Sequence, residues 1–391
     1  MKILMSCRQH PFHLCGGLSI ASWNTAKAAR DAGHEVHYVT GAHPDKTISV
    51  EEGIEVRWLP MKNDSHGYPF MYKWFRDNMK LFENFDILHS QSSALTTLLD
   101  MGKPIIFQDH GTQLAAMQDD VNMIAFGLPE RFGLGITRSF PTGVSYSDMY
   151  PTLTLCLEGQ KEIEYLRRFT RVLATSEISA QDLWTRYYLR NVSILYHPIY
   201  GLPEFTPRPA HALPVVGFFT LALDAPQKYA KYGLTQLLSI KDKIKVKLIG
   251  NGPTTDKWAR ENFPNVEYTG YLQEEQAIKA LSDVDVLFEC SCHHRGCNLT
   301  GITALGLGVP ILTYPTGGHP DLVGGSSLSN IYGPGGALVD PFDDEKAVEA
   351  LMHLIANREA FSTSAKSHFD ARFHPKVCAQ TLDAVYKELV K

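Results

Sequence analysis

Apolar and polar positions along the chain fall into two patterns that alternate from end to end. Short runs rich in apolar, β-branched and aromatic residues occur at KILMS (2–6), EVHYVT (35–40), EVRWLP (55–60), DILHS (86–90), PIIFQ (104–108), RVLATS (171–176) and VSILYH (192–197). Each has the length and composition of a buried strand. Stretches with apolar residues at helical spacing separate most of them. A second series begins at PVVGFF (214–219) and continues through KVKLIG (245–250), VEYTGYL (266–272), DVLFEC (285–290) and VPILTY (309–314). Strands alternating with helices predict parallel sheets covered on both faces, an α/β architecture.

The two series imply two domains, residues 1–200 and 214–373. Between them GLPEFTPRPAHAL (201–213) has three prolines and no periodicity, the mark of a linker. The tail 374–391 places Val377, Leu382, Val385 and Leu389 at helical spacing and predicts a docked helix. A chain of 391 residues exceeds what one core ordinarily uses, which agrees with two domains. Open sheets of this kind bind ligands outside the carboxyl ends of their strands.

Composition narrows the classes of function. With 44% hydrophobic and 20% charged residues the chain is globular, and a net charge of −5 gives no general attraction to a phosphate backbone. The opening MKILMSCRQHPFH turns polar by Ser6 and reads as a first strand. No window is apolar for long enough to cross a bilayer. Seven cysteines, an odd number, point to reduced thiols in a cytoplasmic compartment.

Two glycine-rich turns carry candidate chemistry. After the first strand, Gly16-Gly17 opens a helix; the pair can make a tight turn or bring backbone N–H groups close to a ligand. In HHRGCNLTGITALGLGVPIL (293–312) a polar loop again runs into a helix start. The segment GG, helix, AGHEVHYVT, followed in the second half by VKLIGNGP, VEYTGYL, SDVDVLFECS, ALGLGVPIL and GALVDPFDDEKAVEALMHLIANREA, resembles family 4 retaining glycosyltransferases. The resemblance implies the GT-B fold: two Rossmann-like, doubly wound α/β domains facing each other across a cleft. It further implies a sugar transferred from a nucleotide-diphosphate donor to a hydroxyl acceptor with retained configuration. The second domain would hold the donor, the first would shape the acceptor side, and the last helix would cross back to the first. Neither a metal nor a separate cofactor is implied, so helix ends and basic side chains must stabilise the leaving diphosphate.

The family frame assigns roles residue by residue. Gly16, Gly17, Gly252, Lys228, Asn298, Leu299, Thr300, Gly301 and Thr303 become donor-binding candidates, with phosphates on the N–H groups of residues 299 to 301. His110, at the end of IIFQDHGTQL, Arg295 and Lys231 become catalytic candidates. His13, Glu177 and Arg138 become acceptor candidates. The chain departs from the frame where two glutamates are usual: Arg295 and Thr303 stand there. Thr303 can offer the ribose only a neutral contact. Phe218 replaces an arginine after Gly217, and Arg295 would restore that positive charge beside the phosphates.

The remaining motifs stay open between function and structure. Cys290, Cys292, His293, His294 and Cys297 crowd together without the spacing of a structural zinc site, so buried thiols are the expectation. Ser176-Glu177 precede a helix capped by Ser179. Residues 126–151, long and without period, are a candidate acceptor lid. A helix expected over Phe70–Phe82 carries Lys73, Arg76 and Lys80 with Phe70, Trp74 and Phe75, as a surface helix at a membrane or a merely solvated face would. The expected acceptors are a glycan, a lipid-linked or a small hydroxyl compound; modified nucleic-acid bases are an alternative that the net charge does not favour. The other alternative is a catalytically weak or inactive binding subunit of the same fold.

Overall fold

A computed structural model of the chain describes residues 1–8, 10, 16–41, 46–60, 67–91, 93–110, 163–185, 187–207, 209, 211–225, 228–291, 296–324 and 331–391. They form two compact units. One contains the described residues up to Tyr200 together with Arg372–Lys391, and the other those of Gly201–Ala371.

The first unit is built on eight strands: β1 (Lys2–Ser6), β2 (Glu35–Thr40), β3 (Ile48–Glu51), β4 (Ile54–Trp58), β5 (Ile87–Ser90), β6 (Ile105–Asp109), β7 (Arg171–Ala174) and β8 (Val192–Ile194). Their order is β3-β4-β2-β1-β5-β6-β7-β8, parallel except for the β3–β4 hairpin. Without that hairpin's outer strand the order is that of a Rossmann sheet, and its direction of winding reverses between β1 and β5. Helix α1 (Gly17–Asp31) and the last helix, α11 (Pro375–Leu389), cover one face. Cys378, Ala379, Leu382, Val385 and Tyr386 form the buried stripe of α11. Burying Leu382 and Val385 contributes about 1.5–3 kcal/mol each. The alanines of α1 let the two helices approach closely.

Three local features differ from the expectations drawn from the pattern. Strand β3 escaped notice because Ile48 and Val50 are 49% and 71% exposed, so no buried alternation marks it. Its hairpin turns at Glu52-Gly53, both with positive φ (47° and 78°), the geometry of a turn usually written Asn-Gly or Asp-Gly. The helix expected over 70–82 is instead α2 (Gly67–Asp77) followed by a 3-10 turn at Met79–Phe82. It breaks at Asn78, whose side chain donates to Trp74 O at 2.8 Å. Met71 and Phe75 are buried and Lys73 pairs with Asp77, whereas Phe70 is 37% exposed, so the core takes only part of the aromatic stripe. Lastly, Ser176 rather than Ser179 caps α3 (Glu177–Thr185): its Oγ accepts the Ser179 N–H at 3.0 Å.

The second unit repeats the plan with β9 (Val215–Ala222), β10 (Lys245–Asn251), β11 (Val266–Tyr268), β12 (Val286–Glu289), β13 (Ile311–Thr313), β14 (Tyr332–Gly333) and β15 (Gly336–Leu338). The order is β11-β10-β9-β12-β13-β15-β14, again a Rossmann order, with only the β14–β15 pair antiparallel. Among the described residues seven α-helices accompany it: α4 (Ala230–Gln236), α5 (Pro253–Asn262), α6 (Glu274–Ser282), α7 (Leu299–Gly306), α8 (His319–Val323), α9 (Asp344–Ala356) and α10 (Arg358–Arg372), the last ending on the first residue of the other unit. Phe218 is buried against Phe288 at 5.6 Å between ring centroids, inside the core of this unit. It therefore fills space where a cation was expected and cannot itself meet a ligand.

Candidate active site

The parallel strands of the first unit all end at one edge, and polar residues collect there. Gln108 is opposite Leu173, and Ala174 opposite Ile194. With period-two alternation, this register puts His89, Gln91, Gln108, His110, Thr175 and His197 on the face that α1 and α11 cover. His110 Nε2–H donates to Gln91 Oε1 at 2.8 Å. The Gln91 amide nitrogen donates to His89 Nε2 at 3.2 Å, and His89 Nδ1–H donates to Tyr386 Oη at 2.7 Å. The ring of His197 stacks on that of His110.

Burial makes this a cluster of neutral imidazoles. Desolvation pulls the pKa of His89 down to about 3 and that of His197 to about 4. His110 is lowered well below its ordinary value by burial first, then by His197 and His89. With a proton on Nε2, His110 keeps a lone pair on Nδ1, which can accept a hydrogen bond from a hydroxyl. Beside it, His197 Nδ1, both amide atoms of Gln108 and Thr175 Oγ1 are buried without a hydrogen-bond partner among the described residues. Each such group costs about 1–3 kcal/mol until something satisfies it. A polyhydroxyl ligand has the right complement.

The other expected residues of this unit fare differently. Gly16 has φ −132° and ψ 158°, extended backbone open to any residue, so no sharp turn requires a glycine there. A β-carbon at Gly16 would meet nothing within 4 Å. Ser19 closes the helix start, its Oγ accepting the Gly16 N–H at 3.1 Å. Gly17 is the first residue of α1. Glu177 is engaged: Arg372 holds its Oε1, and Tyr196 Oη donates to the same atom at 3.3 Å. His13, Arg138, Arg295, the zinc-like residues 292–294 and the segment 126–151 lie outside the described residues.

In the second unit the start of α7 follows β12 at the edge where the winding of the sheet reverses. Asn298 caps α7: its Oδ1 accepts the Gly301 N–H at 2.5 Å and its Nδ2 donates to His319 Nε2 at 3.1 Å. His319 Nδ1 in turn lies 2.8 Å from Thr313 Oγ1 and 3.3 Å from Thr316 Oγ1. The loop ahead of α7 and the turn ahead of α8 touch so closely that a β-carbon at Gly318 would come within 2.3 Å of Cys297 N. Only glycine fits there. Cys290 and Cys297 are buried, and Cys297 Sγ lies 3.2 Å from Gly318 O.

Three donor-side expectations need correction. The Gly301 N–H is not available to a phosphate, because Asn298 takes it; the N–H groups of Leu299 and Thr300 have no partner among the described residues. Gly301 is small because Leu322 would lie 2.5 Å from a β-carbon, not because a ligand approaches. At Gly252 the next helix, α5, already holds an anion: Asp224 accepts the N–H groups of Thr254 at 3.1 Å and Thr255 at 2.8 Å. Burial alone would raise the Asp224 pKa, but the bonds from Thr255 and Thr254 outweigh it and hold the carboxyl below its usual value. Thr303 is 8% exposed, nearly closed to a ribose.

Lys228 and Lys231 flank Tyr229, which caps α4 in a left-handed conformation (φ 49°) at a cost of about 1–3 kcal/mol. Lys231 Nζ lies 5.5 Å from the centroid of the Trp258 ring, a cation–π contact. The structure thus gathers Asn298, Leu299 and Thr300 at one helix start, and sets Gly252 and Lys231 at others. His89, Gln91, Gln108, Thr175, His197, Thr316 and His319 were missed. The available signal was a polar residue ending a buried strand (LHSQ, LATS) or, in TGGHP, a glycine pair opening a helix after one.

Residues 15–200 match the family model described as Glycosyltransferase Family 4, and residues 214–357 match the one described as Glycosyl transferases group 1. A GDP-mannose-dependent alpha-mannosyltransferase of Mycolicibacterium smegmatis is 28% identical over 170 residues, a stretch that covers 43% of this chain and 42% of that protein. The chain thus spans less than half the length of this curated relative. Among solved structures, sucrose-phosphate synthase from Thermosynechococcus elongatus superposes with a TM-score of 0.72 at 15% identity, covering 99% of this chain and 98% of that one. Anabaena HepE, in complex with UDP and glucose, gives 0.64 at 15% identity, with 100% of each chain covered.

Proposed function

The chain belongs to the family 4-like glycosyltransferases of the GT-B fold and is a hexosyltransferase-type enzyme; from that premise we propose that it moves a hexose from a nucleoside-diphosphate donor to a hydroxyl acceptor, retaining the anomeric configuration. The diphosphate binds at the start of α7, on the N–H groups of Leu299 and Thr300. Lys228 and Lys231 supply nearby positive charge if the donor draws Lys231 off Trp258. GDP is the favoured nucleotide, because the partial relative is described as GDP-mannose-dependent; the fold neighbour with UDP makes UDP the alternative to be tested beside it.

The acceptor hydroxyl binds at the histidine cluster of the first unit. His110, neutral and bonded at Nε2, orients that hydroxyl through its Nδ1 lone pair. An oxygen of the departing diphosphate takes the hydroxyl proton as the new bond forms on the face the leaving group vacates. His110 positions and polarises without becoming a nucleophile. The buried thiols Cys7, Cys290, Cys297 and Cys378 suit a reducing compartment. Among the described residues no helix is long and apolar enough to cross a membrane.

The observation that carries this reading is the pair of matches, one to each half of the chain, together with buried unpaired polar atoms around a neutral His110. A thermal-shift series with GDP, UDP, GDP-mannose and UDP-glucose tests it. A nucleotide at 100 times its dissociation constant stabilises by about 2.7 kcal/mol. Stabilisation by no nucleotide would defeat the proposal. Binding without turnover would favour an inactive subunit.

A further inference from the structure

We infer that Tyr386, on the last helix, is a positioning residue that sets the protonated nitrogen of His110, acting through His89 and Gln91. The role of His110 rests on the function proposed above; the relay itself rests on the hydrogen bonds between the side chains. Four side chains make an unbranched line: Tyr386 Oη, His89 at 2.7 Å, Gln91 at 3.2 Å and His110 at 2.8 Å. The first link joins residues 297 positions apart in sequence. Tyr386 and His89 are fully buried and Gln91 is 1% exposed, so solvent does not compete for the first two bonds; the third, at His110, is partly buried. None of the four makes another side-chain hydrogen bond among the described residues.

Such a line has a direction. A neutral imidazole carries one N–H, and a carboxamide has one accepting and one donating end. The Gln91 amide nitrogen faces His89 Nε2, so the His89 proton sits on Nδ1 and the Tyr386 oxygen accepts it, which leaves Nε2 of His89 bare. That nitrogen takes an N–H of Gln91, which turns the Gln91 carbonyl toward His110. The carbonyl requires the His110 proton on Nε2, and the Nδ1 lone pair then faces outward. Removing the Tyr386 oxygen leaves His89 Nδ1–H buried without an acceptor. Moving the proton to Nε2 of His89 would face it against the Gln91 N–H, so the amide reverses and His110 is reprotonated on Nδ1. The lone pair offered to an incoming hydroxyl is lost.

A polar line in an apolar core is not needed for stability, since matched apolar groups serve as well. What it adds is orientation. Tyr386 otherwise belongs to the apolar core of the first unit, with the edge of the His34 ring at 5.2 Å between centroids.

The test uses the full chain with isotope-labelled histidine, assigning the His110 ring nitrogens by comparison with His110→Asn. In the natural chain the proton is expected on Nε2. In Tyr386→Phe, close in shape to the original, it is expected to move wholly or partly to Nδ1. The release of GDP from GDP-mannose, or of UDP from UDP-glucose, should slow about tenfold in kcat with the donor KM within about twofold. Gln91→Met cuts the line at another point and should give the same signature if Tyr386→Phe folds poorly. Lys387→Ala, at an exposed neighbour on α11, serves as the control and should change neither reading. Unchanged His110 nitrogens in both variants would overturn the relay. A moved proton with unchanged turnover would overturn the positioning role. Should the natural chain turn over neither donor, the functional reading and the positioning role fall together, and the histidine resonances alone still decide whether the relay exists.

Discussion

The imidazole rings of His110 and His197 lie parallel to within 4°, their centroids 5.1 Å apart, although one follows β6 and the other follows β8. Two stacked imidazoles tolerate one another when neither is charged, and burial keeps them so. The same burial makes the fold sensitive to acid.

Free histidine binds a proton near pH 6.5, whereas His197 does so only at about 4 and His89 at about 3. Between those values the unfolded chain holds protons that the folded chain does not. Stability is therefore greatest above about pH 6.5 and falls as the pH drops below it, by on the order of 2 kcal/mol per histidine at pH 5. Thermal melts at pH 7.5 and pH 5 should differ by several degrees, and His197→Gln should narrow the difference. An unchanged gap in the variant would show that His197 is not the group responsible.

Asn298 both caps α7 and holds His319. Asn298→Ala should cost about 1–2 kcal/mol of stability, as the loss of a side-chain cap does. It should also weaken the thermal shift given by GDP or UDP, because the loop that presents the Leu299 and Thr300 N–H groups loses its anchor. Unchanged nucleotide affinity in a stable variant would move the phosphate site elsewhere.

Two glycines should respond oppositely to alanine. At Gly301 the new methyl would lie 2.5 Å from Leu322 and 3.0 Å from Asn298 Oδ1, whereas at Gly16 it would meet nothing within 4 Å. Gly301→Ala should lose about 1–3 kcal/mol. Gly16→Ala should change stability by less than about 0.5 kcal/mol, as a surface substitution does. Urea unfolding of the two variants compares them directly, and equal losses would contradict the packing described.

The carboxylate of Asp224 occupies the start of α5. Asp224→Ala should destabilise by about 1–2 kcal/mol and expose the Thr254 and Thr255 N–H groups to outside anions. Sulfate should then stabilise the variant more than the natural chain. Equal sulfate effects in differential scanning calorimetry would refute this account.

The order of strands and helices was legible in the sequence because a buried parallel strand reads as a continuous apolar run, and nearly every such run became one. The departures share a cause. Exposed β3 buries too little to leave a pattern, and Asn78 ends α2 by a side-chain bond rather than through proline or glycine. The start of α7 was found from the polar loop before it, yet its chemistry was only half legible. That Asn298 takes the Gly301 N–H, and that Asp224 reaches the start of α5 from a different loop, depends on which loops meet at the edge of the sheet.

By itself, the sequence determined two doubly wound sheets, the helix that begins at Leu299, and His110 at the end of a strand; all three follow from local periodicity and neighbouring residues. Only the tertiary structure decided that His110 leans on His197 and reaches Tyr386 through Gln91 and His89. Those contacts join residues far apart in the chain. Which of them meet is decided by strand register and by the docking of the last helix, neither of which leaves a trace in local composition.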